Sequence, residues 1–125
     1  MNWGIHPAGI KNEIMYLKEN YGNPTIYITE NGCAMPDEPD ENEFVKDFDR
    51  IRFLQAHIQA VHEAMQAGAN IKGYFVWSIF DNFEWERGYT KRFGLVRVNY
   101  KTFKRTPKQS AYWYQNVIKQ NAVVI

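Results

Sequence analysis

Two runs of strand-forming residues are separated by one long amphipathic stretch, and this arrangement limits the chain more than any other feature. Residues 25–29 read TIYIT, β-branched and aromatic. Residues 71–80 read IKGYFVWSIF, nearly continuous in apolar residues, as in a strand covered on both faces. Between them, from Glu43 onward, Phe44, Phe48, Ile51, Leu54, Ile58, Val61 and Met65 recur every three or four residues, and Gly68 is placed to cap the helix they predict. Two strands joined by a helical crossover lie parallel in one sheet. A two-stranded parallel sheet cannot bury itself, so this one is expected to be completed by more chain or by another copy.

The flanks extend the pattern. Pro7 suits the first turn of a helix carrying Ile10, Ile14, Met15 and Leu17, and Gly22 with Asn23-Pro24 ends it. After the second strand comes a loop, DNFEWERGYTKR, then a strand-like FGLVRVNY. Pro107 is expected to open a last helix with Ala111, Tyr112, Tyr114, Val117 and Ile118 on its apolar side. The segment DEPDENE (37–43) reads as a solvated loop and helix start, its acids favourable to the helix dipole.

Chemistry in parallel α/β folds sits beyond the carboxyl ends of the strands. Glu30 falls at that end of the first strand, and Asn31-Gly32 lets the backbone turn sharply behind it. Trp77 holds the equivalent region of the second strand, and Asp81, Glu84, Trp85 and Glu86 follow in its loop. A short strand often ends in a polar residue, and FVWSIF taken alone is ordinary core. Core packing does not account for four acids gathered with Trp77, Phe83 and Trp85. Carboxylates accept hydrogen bonds from vicinal hydroxyls, and flat rings stack on the apolar face of a pyranose, so the composition is that of a sugar site.

Other classes are disfavoured. Of 125 residues, 15 are Lys or Arg and 14 are Asp or Glu, which supplies no surplus positive face for nucleic acid or an anionic membrane. No apolar run approaches the roughly 20 residues of a membrane span. The single cysteine, Cys33, closes no disulfide within the chain, which fits an intracellular, cytoplasmic protein.

YITENG (27–32), DFDRIRFLQAHI (47–58), GYFVWSIFDNFEWERGYTKRFGLVRVNY (73–100) and RTPKQSAYWY (105–114) resemble the C-terminal part of glycoside hydrolase family one, the β-glucosidases and their relatives. The likeness covers almost the whole chain, with four motifs in register. It implies a (β/α)8 TIM barrel of which residues 1–125 form the last part: helix 6, strand 7, helix 7, strand 8 and helix 8. A full barrel needs about 250 residues, so the chain is expected to be a fragment. The resemblance also assigns roles. Glu30 matches the catalytic nucleophile. Trp77 matches the floor beneath the sugar, Glu84 the acid that takes hydrogen bonds from the 4- and 6-hydroxyls, Trp85 the indole that reaches the 3-hydroxyl, and Phe93 an aromatic wall. Relatives acting on 6-phosphorylated sugars replace the Glu-Trp pair. Glu84 would repel a phosphate dianion, so the expected substrate is a neutral β-glucoside or oligosaccharide, with glucose the expected glycone and galactose or fucose as alternatives.

One departure matters. The family carries its acid/base in an Asn-Glu-Pro motif, and no Asn-Glu-Pro occurs here; Asn12-Glu13 and Asn42-Glu43 lack the proline. Ala8 and Asn99 also stand where acids are common in the family. His6, His57 and His62 have no metal-ligand spacing, so no metal and no cofactor are expected. Cys33 reads as a small buried filler, and Asp49 with Arg52 as an ion pair on the helix. Two functions remain open on sequence alone: part of a retaining β-glucosidase, inactive by itself, or a non-catalytic sugar-binding or self-associating half-barrel module. The expected partner is the N-terminal remainder of the barrel or a second copy.

Overall fold

The computed structural model describes residues 3–123. Seven elements follow in order: α1 (Pro7–Asn20), β1 (Ile26–Asn31), α2 (Phe48–Gln66), β2 (Ile71–Val76), β3 (Val96–Val98), β4 (Arg105–Pro107) and α3 (Gln109–Gln120). β1 and β2 pair in parallel, as their helical crossover requires. β3 and β4 form a separate antiparallel hairpin.

Helices cover one face of the parallel pair. Ile14 of α1, with Val61 and Ala64 of α2, packs with Ala69 and Ile71, and Ile26, Ile28 and Tyr74 join them from the strands. A second cluster of Cys33, Phe53, Leu54 and Leu95 lies near Val76, Trp113 and Tyr114. The other face of the sheet is bare: Tyr27 and Phe75 are each 56% exposed. Gly73 shares that face, for a Cβ there would stand 2.7 Å from the Tyr27 ring.

The β1–β2 register slips twice. Ile28 pairs with Tyr74 and Asn31 with Val76, so β1 holds one more residue than β2 over this interval. This is a bulge, and it breaks the alternation of the strand. Thr29 and Glu30, consecutive in sequence, both stand exposed. Asn31 turns back and accepts a hydrogen bond from the Tyr74 hydroxyl at 2.7 Å.

Several boundaries differ from the sequence reading. α2 begins at Phe48 rather than Glu43. The Asp40 carboxylate accepts the backbone N–H groups of Asn42 and Phe44, each at 2.9 Å, and Glu43 takes φ +65°. That local turn competes with the helix and displaces its start. β2 ends at Val76, because residues 78–81 leave β1 and bond to residues 93–96 instead: Leu95 N–H to Ser78 O at 2.9 Å and Val96 N–H to Ile79 O at 2.8 Å. Only Val96–Val98 of FGLVRVNY is strand, and Pro107 ends β4 rather than opening α3. Gly22 and Gly68 take φ +69° and +88° behind α1 and α2, as a left-handed helix stop demands.

Candidate active site

At the carboxyl ends of the two parallel strands lies a cavity of about 820 Å³. The ladder extends one step past β2, with Trp77 N–H donating to Asn31 O at 3.0 Å, so Glu30 and Trp77 end neighbouring strands. Glu30, Trp77, Phe83, Glu84, Trp85 and Phe93 all line this cavity. All five residues singled out by sequence, Glu30, Trp77, Glu84, Trp85 and Phe93, therefore meet in one place. Phe93 is nearly buried at 3% exposure, whereas Trp85 is 91% exposed and stands free at the rim. The peptide bond between Trp77 and Ser78 is cis.

The turn that carries Glu84 and Trp85 closes on itself. Glu84 N–H donates to Gly88 O at 2.8 Å, and Gly88 N–H returns to Glu84 O at 2.5 Å. Such a turn holds its own shape without contact to a substrate.

Two of the four gathered acids do not belong to the cavity. Asp81 is buried, and its carboxylate is taken up by Lys108 at 2.9 Å, Arg92 at 2.5 Å and the N–H groups of Gly94 and Val98. Glu86 lies outside the lining. Asp37 corrects the reading of DEPDENE as wholly solvated: its side chain is fully covered and pairs with Lys108 and Arg50. Arg50 also bonds Asp47 and the Arg92 carbonyl, and Asp47 accepts from both the N–H and hydroxyl of Ser110. Burial, and then Arg50, push the Lys108 ammonium below its ordinary pKa, while Asp37 and Asp81 oppose that. The Asp49–Arg52 pair forms as expected, with both side chains exposed in this segment.

Sequence reasoning missed part of the lining. Trp3, Ile5 and His6 border the cavity, and the Trp3 and Phe93 rings lie 6.3 Å apart. No spacing signal connects residues ninety positions apart. His57 and Cys33 also reach the cavity wall. His57 donates from Nδ1 to the Phe53 carbonyl at 2.8 Å and stacks on the Phe53 ring, and burial lowers its pKa. Burial pushes the Cys33 thiol up to about 11, which keeps it protonated and inert. Among the described residues no cluster of three or more His, Cys, Asp or Glu is placed to hold a metal, and no helix is long and apolar enough to cross a membrane.

Residues 1–123 match the family described as Glycosyl hydrolase family 1. The chain belongs to that family. Among relatives of this family 1 chain, β-glucosidase A of Thermotoga maritima is 51% identical over 123 residues, spanning 98% of this chain and 28% of the relative. The 1,4-β-D-glucan glucohydrolase of Thermotoga neapolitana is 52% identical over the same share. Rice β-glucosidase 11 is 49% identical over 94% of the chain and 23% of its own length. The structure of the family 1 β-glucosidase from Thermotoga maritima superposes with a TM-score of 0.96 at 50% identity, over all of this chain and 28% of that one. The same enzyme has been solved in complex with azafagomine and with deoxynojirimycin. The family 1 segment is thus part of an α/β barrel and spans little more than a quarter of the length of the bacterial relatives it matches.

Proposed function

We propose that this chain contributes the nucleophile wall of a retaining β-glycosidase that hydrolyses terminal, non-phosphorylated β-D-glucosyl residues. β1 and β2 are read as strands seven and eight of the barrel, with α1, α2 and α3 as helices six, seven and eight. The observation that carries the proposal is the bulge. It sets the Glu30 carboxylate at the strand end in a cavity shared with Trp77, Glu84 and Trp85.

In this reading the Glu30 carboxylate attacks the anomeric carbon as the glycosidic bond breaks. The leaving oxygen takes a proton from a second carboxyl, and water then cleaves the glycosyl ester with net retention. That chemistry requires the two carboxyl groups about 5 to 5.5 Å apart. The second carboxyl belongs to the remainder of the barrel, since this sequence has no Asn-Glu-Pro. Trp77 stacks beneath the ring, Glu84 binds the 4- and 6-hydroxyls, Trp85 the 3-hydroxyl, and Phe93 walls the subsite. The partners are then a β-glucoside or oligosaccharide and the other strands of the barrel, which cover Tyr27 and Phe75.

The test uses a complete barrel in which this segment replaces the matching stretch of the Thermotoga maritima enzyme. It should hydrolyse an aryl β-glucoside and release the β-anomer first. Glu30→Gln should lower kcat by orders of magnitude while substrate still binds. A variant that keeps more than a few per cent of kcat, or a first-formed α-anomer, would overturn the proposal.

A further inference from the structure

The turn bearing Glu84 and Trp85 is anchored from behind by a column of rings. Phe83, which lines the cavity, meets Tyr89 edge to face at 5.4 Å between centroids. Tyr89 lies 4.5 Å from Tyr100. The Arg92 guanidinium sits over the Tyr100 ring at 4.5 Å. Arg92 is itself fixed, by Asp81 at 2.5 Å and by the Val98 carbonyl at 2.9 Å. The Tyr100 hydroxyl donates to the Asn82 carbonyl at 3.3 Å, at the point where the loop leaves the body. Burial, and next the Asp81 charge, raise the Tyr100 pKa, so the hydroxyl stays a donor throughout the working range.

These contacts sort into two kinds. The hydrogen bonds within residues 84–88 fix the shape of the turn. They do not fix where the turn sits over the cavity. Trp85 makes no packing contact that could do so, being 91% exposed. The ring column runs from the buried Asp81 charge out to Phe83, immediately before Glu84.

We propose that Tyr100, clamped by Arg92, is a positioning residue for the Glu84–Trp85 turn and sets how well the site recognises the 6-hydroxymethyl group of the glycone. Tyr100 touches no substrate; it acts through Tyr89, Phe83 and Asn82. The inference rests on the reading of Glu84 as the acid that binds the 4- and 6-hydroxyls, and adds that its aim is set by residues beyond the cavity.

The experiment compares kcat/KM for an aryl β-glucoside with that for the matching aryl β-xyloside, which lacks the 6-hydroxymethyl group, in the complete barrel. Active sites are counted with a mechanism-based inactivator, so that loss of folded protein does not enter. Tyr100→Leu removes the column and should cut the glucoside-to-xyloside ratio about tenfold, the effect expected from one lost ring pair. The loss should fall mainly on KM. Tyr100→Phe keeps the ring and should restore most of the ratio. Glu84→Gln is run beside them. If Glu84→Gln collapses the ratio while Tyr100→Leu leaves it at the parent value, the positioning role is wrong and the Glu84 reading stands. If Glu84→Gln leaves the ratio intact, the reading beneath the proposal fails and the proposal falls with it.

Discussion

Gly32 and the Trp77 carbonyl are packed without room for a side chain: a Cβ on Gly32 would lie 1.7 Å from that oxygen and 2.8 Å from its carbon. The obstacle is backbone, which cannot swing aside as a side-chain tip would. Gly32 therefore keeps the turn after Glu30 pressed against the strand end that presents Trp77.

Gly32→Ala should accordingly damage catalysis more than folding. Overpacking a fitted site costs typically 1 to 3 kcal/mol. A displacement of about 1 Å at a reacting group costs on the order of 10²-fold in rate. Steady-state kinetics in the complete barrel should show kcat/KM down by that order while the melting temperature falls by only a few degrees. A variant with parent kinetics would show that Glu30 and Trp77 are placed independently of this contact.

Within the cavity, Trp77→Ala and Glu84→Ala should each raise KM and lower kcat/KM for the glucoside, because a platform and a hydrogen-bonding acid strengthen toward the transition state. Glu38→Ala, on the exposed loop, is the control and should leave both unchanged. Equal losses from all three variants would place the subsite elsewhere.

Lys108 is completely buried and pairs with both Asp37 and Asp81. Lys108→Met takes one cation from each of two covered carboxylates, leaving Asp37 with Arg50 alone and Asp81 with Arg92 alone. Breaking such a buried pair from one side costs about 3 to 5 kcal/mol. Asp37→Ala should also be destabilising, unlike Glu38→Ala. Arg52→Ala removes only an exposed pair and should scarcely move the melting temperature. Thermal unfolding of the four variants should rank them in that order.

His57 predicts a pH dependence. Its folded pKa lies below the ordinary value of 6.5, because burial disfavours the imidazolium. As pH falls from 6.5 toward the depressed value, the unfolded chain takes up a proton that the folded chain refuses, and stability is lost. The contribution is fully present above 6.5. The melting-temperature difference between the parent and His57→Leu should therefore be largest near pH 8 and shrink toward pH 5. A difference that stays constant across this range would contradict the assignment.

Much of this architecture was legible in the residues. TIYIT, the apolar run from Ile71 and the 3.6-residue period through Leu54 and Val61 are local signals, and they gave the parallel pair and its crossover helix. The start of α2 was not legible, because the Asp40 side-chain bonds that cap the turn at Phe44 override a periodic pattern that already includes Phe44. Nor was the buried network. Asp37, Arg50, Asp81 and Lys108 are scattered along the chain and follow no period, and an acid that ends up beneath a lysine looks in sequence like any other loop acid. At the site, Glu30, Trp77 and Glu84 could be named because the first two fall near the carboxyl ends of strands, the third lies in the loop beyond, and all three match motifs of the family. Trp3 and His6 could not, because they enter from a segment with no motif of its own.

The mismatch between β1 and β2 turns the location of the acid into a question of parity. Counted by twos from Ile26 and Ile28, position 30 belongs to the side that faces the helices; the uneven count between Ile28 and Asn31 moves it to the other side. Lengthening β2 by one residue between Tyr74 and Val76 would even the count and turn the carboxylate toward the helices. Removing Thr29 would even it too, but would draw the acid back by about 3.3 Å, the rise of one strand residue. Neither edit changes the acid itself, yet either would take it off its mark, so this short interval can tolerate changes of side chain far better than changes of length.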